Sequence, residues 1–356
     1  MHSTNYLSIS LLVLFLGVAC SQSTVANVGG NSESAGGAGP GGAGGGQIAN
    51  TAILTVLDAG HFSGPPTGID ARPWHCDDQG NCSCLTIASL GQVAQYGSDT
   101  GDNTTAFQDY MNTQTKGTVK MAMFGNAVGS PKSFALTSDF LKNYNVIILQ
   151  ALEQSVYTTQ VWNFTADETK ALSDWVNNGG GLIAMTGYGG NSIEVQPLNQ
   201  LLSQFGITYN TDDIFIESDC PDTLCYCTNT SMPFGGWNPS DTLLVSNLDS
   251  ANHRVGVFRG RSINCSDCQI MATWKNLNVG VHKQVGAGRV FAWADEWVTY
   301  TSQWTGDPRF INKDQCAPRT ADKIYAIPQF WYNVFRWVAG DDSGCFQMAD
   351  TDVVQR

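Results

Sequence analysis

Asp295-Glu296-Trp297, inside the run GRVFAWADEW, sets two carboxyls and an indole at the end of an apolar segment. Paired carboxyls can perform acid–base or glycosyl-transfer chemistry, and aromatic faces can stack on sugars. Successive side chains on an extended strand alternate faces, so Asp295 and Glu296 are expected to point apart. One of them is then expected to cap the helix that follows, with Tyr300 and Trp304 extending the aromatic set. A second stretch, GGGLIAMTGYGGN, has the outline of a strand-to-helix corner. Leu182 to Met185 form the apolar run, and Gly187-Tyr188-Gly189-Gly190 break it. Such a corner either lifts a nucleophile above a sheet or offers backbone N–H groups to a ligand. Thr186 and Ser192 are the hydroxyls near it, and Ser192 reads as a helix-start residue. The Gly-x-Ser-x-Gly pattern of α/β-hydrolases is absent. The candidate ligand crevice is therefore Gly187, Tyr188, Gly189, Gly190, Asp295, Glu296 and Trp297.

Other reactive residues form no complete set. His61, His75, His253 and His282 occur in no His-x-x-x-His or His-Glu-x-x-His pattern. Asp58 and His61, in LDAGH, could make an acid–base or metal pair, or simply sit in a loop. His253 marks a loop before a strand. The chain holds 11 cysteines, and setting Cys20 aside leaves an even number. Cys76, Cys82, Cys84, Cys220, Cys225, Cys227, Cys265, Cys268, Cys316 and Cys345 are the disulfide candidates. Cys265 and Cys268 also have metal-ligand spacing, but structural zinc usually needs two such pairs. No cofactor motif is present, and neither a metal nor a cofactor is expected.

The net charge of -13 argues against nucleic-acid binding and against docking on anionic lipid headgroups. Leu7 to Ala19 are almost wholly apolar, too short to span a bilayer and suited to a signal peptide. Gly17-Val18-Ala19-Cys20 resembles a lipobox, which implies cleavage and lipidation of Cys20, although Leu16 sits one place early and the leader has no Lys or Arg. Residues 21–50 are rich in glycine and serine and read as a flexible tether, reaching about 30 Å. A bacterial envelope protein, periplasmic or surface-exposed and held to the membrane by lipid alone, is the expectation, with secretion as the alternative.

The elements that must carry these residues occupy 51–345, read as one domain, with 346–356 as a tail. AILTVLD (52–58) reads as a strand. From 85 to 210 strands alternate with helices. LTIASLG, TVKMAMFG, NVIILQ and GLIAMTG read as strands. Helices are expected over 104–115, 137–144, 165–178 and the later part of 194–206. Thr165 and Glu168 have capping-box spacing. Alternation of this kind implies an α/β fold, an open and mostly parallel sheet with helices on both faces. Residues 211–300 are richer in strands, with DTLLVSN, HRVGVFRGRSI, QIMATW, VGVHKQV and GRVFAWADEW expected to be extended and stapled by disulfides. IPQFWYNVFRWVAG (327–340) reads as a closing helix with Phe330, Val334, Trp337 and Val338 on one face.

NYNVIILQ, then a helix ending WVNNGGGLIAMTGYGG, resembles a class I glutamine amidotransferase-like domain, and GAGRVFAWADEW with its aromatic helix extends the match. The resemblance implies a flavodoxin-like sheet. It also implies a nucleophile elbow, Gly-x-Cys-x-Gly, at the corner, and a histidine two places before a glutamate after a late strand. Matching Tyr188-Gly189 to the elbow places Gly187 where the cysteine belongs. Matching Glu296 to the glutamate leaves Ala294 where the histidine belongs. The chain thus resembles the non-enzymatic members, which implies a binding or structural surface module for a small polar or glycan ligand. A hydrolase of extracellular glycan or peptide, using Asp295, Glu296, Asp58 or His61, is the competing expectation.

Overall fold

The computed structural model describes residues 75–76, 82–83, 85–91, 104–113, 119–124, 132–152, 161–186, 192–216, 232–251, 253–301 and 326–340. All of them fall within the unit spanning Phe62–Arg356. The expected strand at 52–58, the leader, the tether and the C-terminal tail lie outside the described residues, as do Asp58, His61 and Trp304.

The chain enters through a short antiparallel pair, β1 (His75–Cys76) and β2 (Cys82–Ser83), with Cys76 opposite Cys82. Five parallel strands follow: β3 (Leu85–Leu90), β4 (Val119–Phe124), β5 (Val146–Gln150), β6 (Gly181–Met185) and, far later, β13 (Gly288–Trp293). Between them run α1 (Thr105–Thr113), α2 (Ser138–Leu141), α3 (Ala166–Asn177) and α4 (Val195–Leu202). A single turn of 3-10 helix, Ser203–Phe205, extends α4. The later strands are β7 (Ile207–Tyr209), β8 (Met232–Phe234), β9 (Val255–Val257), β10 (Ile263–Cys265), β11 (Gln269–Trp274) and β12 (Leu277–Val285). The closing helix is α5 (Ile327–Ala339).

The main sheet has seven strands in the order β11-β12-β13-β6-β5-β3-β4. β13, β6, β5, β3 and β4 are mutually parallel, and β11 and β12 add an antiparallel edge. Numbered by their appearance, the parallel strands run 2-1-3-4-5, so the winding direction reverses between β3 and β5. β7 with β10 and β8 with β9 form two small antiparallel pairs.

The sheet is buried because its strands are apolar on alternate sides in register. Ile87, Val146, Ile148, Ile183 and Phe291 join one core cluster, which includes Phe107 and Met111 of α1 and Phe330, Val334 and Val338 of α5. Their neighbours Ala88, Ile147, Leu149, Leu182 and Val290 join another, with Leu141 of α2, Leu172 and Val176 of α3 and Leu198 of α4. That period of two is why NVIILQ reads as one unbroken apolar run.

The predicted capping box is present. Thr165 Oγ1 accepts from Glu168 N at 3.1 Å, and Glu168 Oε2 accepts from Thr165 N at 2.9 Å. The Gly-rich stop after α3 is needed for close approach. A Cβ on Gly181 would lie 2.6 Å from Val338, where α5 crosses the start of β6.

Two expected strands come out differently. DTLLVSN is turns rather than a strand. Asp241 Oδ1 accepts from Leu243 N at 3.3 Å and Leu244 N at 3.2 Å, and these local bonds displace a ladder. HRVGVFRGRSI divides into β9 and β10, with Arg259 between them at φ 52°.

Candidate functional site

The carboxyl ends of β6 and β13 are tied directly together. Thr186 Oγ1 donates to the Ala294 carbonyl, and Glu296 N donates to the Thr186 carbonyl at 2.9 Å. The Tyr209 hydroxyl lies 2.8 Å from the Ala184 carbonyl and 2.9 Å from that of Trp293, bridging the same two strands from β7. Burial holds the Tyr209 hydroxyl well above its ordinary pKa. Ala294 is fully buried, and a Cβ on Gly260 would approach its carbonyl oxygen to 2.7 Å. The hydroxyl closest to the expected nucleophile corner therefore serves a strand tie. The residue at the expected histidine position is a small one under close backbone packing.

Asp295 and Glu296 do not point apart. The strand stops at Trp293, and Glu296 opens a 3-10 turn, Glu296–Thr299, for which Asp295 is the N-cap. The turn replaces strand alternation and brings the Glu296 carboxyl close enough to lower the Asp295 pKa. Asp295 Oδ1 accepts from Trp297 N at 3.2 Å, and Oδ2 accepts from Phe258 N. The capping expectation is met by Asp295. Tyr300 donates its hydroxyl to Glu296 Oε1 at 3.3 Å. Both carboxyls are buried. Burial raises the Asp295 pKa to about 7, against the backbone N–H groups of Phe258 and Trp297, the bond with Glu296 and the charge of Arg261.

Arg261 is the buried cation of this end of the sheet. Its Nε donates to Glu194 Oε1 at 2.6 Å and one terminal nitrogen donates to the Asp212 carbonyl at 2.7 Å and to Asp213 Oδ1. Burial pushes the Glu194 carboxyl up, against the charge and hydrogen bond of Arg261. Among the described residues Glu194 Oε2 has no hydrogen-bond partner.

At the reversal between β3 and β5, Gln150 Nε2 donates to Ser89 Oγ at 2.8 Å, and both side chains are fully buried. Among the described residues Gln150 Oε1 has no partner. Gly91 follows at φ +135°, and a Cβ there would collide with the Gln150 carbonyl. Ala151, at φ 47°, packs with Tyr300 and Trp297, whose rings are 4.9 Å apart. The aromatic pair of the 3-10 turn is thus brought to the end of β5, beside Gln150. In open α/β sheets the crevice at a winding reversal, outside the carboxyl ends of the strands, is where ligands sit.

No family model and no curated protein matches this chain. Solved structures with a similar path include the mmIFT52 N-terminal domain, at 16% identity and TM-score 0.48, covering 72% of this chain and 98% of that one. The cytoplasmic protein STM1381 from Salmonella typhimurium LT2 is 13% identical at TM-score 0.45, covering 71% and 99%. A ThuA-like protein from Bacteroides uniformis is 13% identical at TM-score 0.37, covering 73% and 93%. At these similarities the neighbours assign neither an activity nor a ligand to this chain.

Of the expected crevice, Asp295, Glu296 and Trp297 lie together on the 3-10 turn and its cap, with Tyr300 packed against Trp297. Gly187, Tyr188, Gly189 and Gly190 lie outside the described residues. Ser192 stands just before α4 with φ 59°. The C-x₂-C pair is a disulfide, with Cys265 Sγ 2.02 Å from Cys268 Sγ. Asp267 lies with these sulfurs in a group of metal-ligand type, but the bond occupies both sulfurs as a disulfide. The strand positions of Cys76 and Cys82 are given above, and the other candidate cysteines lie outside the described residues.

Four residues of this end of the sheet were not singled out by the sequence: Ser89, Gln150, Glu194 and Arg261. Ser89 and Gln150 carried a signal, since each is a polar residue inside an otherwise apolar buried strand. Arg261 carried a weaker one, as a cation in a strand-like segment. His253 Nδ1 lies 3.1 Å from Asp249 N and 2.9 Å from Asp249 Oδ2, contacts that close a loop. His282 is buried on β12, with Nε2 2.7 Å from Asp241 Oδ2. Burial pushes Asp241 up, but the hydrogen bond and charge of His282 and the N–H groups of Leu244 and Leu243 leave its pKa lowered.

Proposed function

We propose that this chain is a flavodoxin-like, class I amidotransferase-like module that binds a ligand rather than transforming one. The observation that carries this reading is the Thr186 hydroxyl, one residue before the expected cysteine position, bonded to the carbonyl of Ala294, the residue at the expected histidine position. The 2-1-3-4-5 order and the two core clusters, each with its own helices, support the doubly wound arrangement. The ligand would sit at the β3–β5 reversal, against Trp297 and Tyr300, with the Gln150 amide oxygen as an unused acceptor. A neutral hydroxyl-rich molecule, such as a glycan fragment, suits an aromatic face next to a buried amide.

In this reading the protein is exported and anchored through Cys20, with no nucleic-acid partner. Among the described residues no helix is long and apolar enough to cross a membrane. Fatty-acid labelling that disappears in Cys20→Ser supports the anchor, and equal labelling of both proteins removes it. Saturation-transfer NMR against a glycan panel tests the ligand. Transfer to at least one member is expected, and its loss in Gln150→Leu locates the site. No transfer from any member overturns the reading.

One observation favours hydrolysis as a second reading. A carboxyl with a pKa of about 7 beside another carboxyl is suited to a general acid at neutral pH. A hydrolase screen with Glu296→Gln as control decides between them. Turnover by the native protein that Glu296→Gln abolishes establishes the hydrolase.

A further inference from the structure

Cys265 and Cys268 close a ring of only four residues across the turn from β10 to β11. A loop this short restrains the unfolded chain far less than a long one. The turn is also held without it. Ile263, Asn264 and Cys265 pair with β7, and β11 pairs with β12 from Gln269 onward. Both cysteines are half-buried, and Ser266 and Asp267 between them are exposed. Asp267 Oδ1 lies 3.5 Å from Cys265 Sγ. Lys283 Nζ grips both oxygens of Asp267, at 2.8 and 2.7 Å, and donates to the Phe205 carbonyl at 3.0 Å. A carboxylate and an ammonium group thus stand beside a short-ring disulfide whose flanking strands are each paired with another strand.

We propose that Cys265–Cys268 is a thiol–disulfide exchange site whose co-reactant is a dithiol. One thiolate of the co-reactant attacks a sulfur of the pair, and the S–S bond breaks to give a mixed disulfide and a released cysteine thiolate. The second thiolate of the co-reactant then displaces the other cysteine. Two electrons and two protons pass from the co-reactant to Cys265 and Cys268, and the co-reactant leaves as a disulfide. Lys283 offsets the Asp267 charge, which would otherwise oppose the thiolate at Cys265. This site is separate from the crevice, and its test is independent of any ligand there.

The test exposes the native full chain to dithiothreitol, and separately to reduced glutathione. Free thiols are alkylated and mapped by mass spectrometry while circular dichroism follows the fold. Residues 265 and 268 are expected to become labelled with the fold intact, and to return to the disulfide with oxidised glutathione. Cys268→Ser is expected to carry a glutathione adduct on Cys265. At pH 7, alkylation of the reduced pair is expected to slow about threefold in Lys283→Met and to quicken in Asp267→Asn. A pair that stays oxidised until denaturant is added, or opens only as the dichroism is lost, overturns the proposal. Equal alkylation rates in both charge variants overturn the role given to Lys283 and Asp267.

Discussion

Arg261 Nε donates to Glu194 Oε1 over 2.6 Å, and neither side chain reaches solvent to any extent. The pair joins the segment before α4 to the segment before β10, 67 residues apart in the chain. A buried pair of this kind is revealing when one partner is removed. Arg261→Met leaves Glu194 without its cation, and a loss of about 3–5 kcal/mol is expected in urea unfolding. Glu194→Leu in the same chain removes the orphaned charge. The double variant is expected to recover much of that loss, and a double variant as unstable as the single one contradicts the pairing.

Asp295 gives the fold a pH dependence of definite sign. Its pKa rises from 3.8 to about 7 on folding, chiefly through burial. The folded state therefore holds a proton that the unfolded state has released between about pH 4 and pH 7. This contribution is complete below the unfolded pKa and is lost as pH rises through the folded one. Asp295→Asn is expected to flatten the fall in stability between pH 4 and pH 7. A slope identical to that of the native protein counts against the buried proton.

Much of the sheet was legible because apolar, β-branched runs allow few alternatives. Val146 to Leu149 and Leu182 to Met185 show it, and Thr165 with Glu168 marked the start of α3 by local chemistry alone. Two of the misreadings share a cause, which is side-chain hydrogen bonding to the nearby backbone. Asp241 turned an apolar segment away from a ladder, and Asp295 ended a strand at the point where alternation was being counted. The partners Glu194 and Arg261 were illegible for a different reason. Nothing local tells a buried ion pair from two surface charges, and only the arrangement of β13, α4 and β10 brings them together.

Gly91 is the position where the crevice floor tolerates least change. Its φ of +135° disfavours any L side chain, and a Cβ would strike the Gln150 carbonyl. Gly91→Ala is expected to cost more than about 3 kcal/mol or to abolish folding. Gly206→Ala makes the comparison, because Gly206 also has positive φ, +73°, yet its nearest foreign atom is 3.7 Å away. A loss of about 1 kcal/mol is expected there. Equal losses at the two positions would show that the collision plays no part.

Gln150 separates stability from binding. Among the described residues its amide bonds to Ser89 and leaves Oε1 buried without a partner. A half-satisfied polar group in a core adds little net stability. Replacing both members by apolar residues, Gln150→Leu with Ser89→Ala, removes the bond and the orphaned oxygen together. Unfolding free energy is expected to stay within about 1 kcal/mol of the native value or to rise. If the oxygen is kept for a ligand, the same double variant loses saturation transfer from the glycan that the native protein binds. A variant that keeps both its stability and its ligand would move the binding site away from the β3–β5 reversal. One that loses several kcal/mol would mean that the buried amide is structural and that its unused oxygen is not reserved for a ligand.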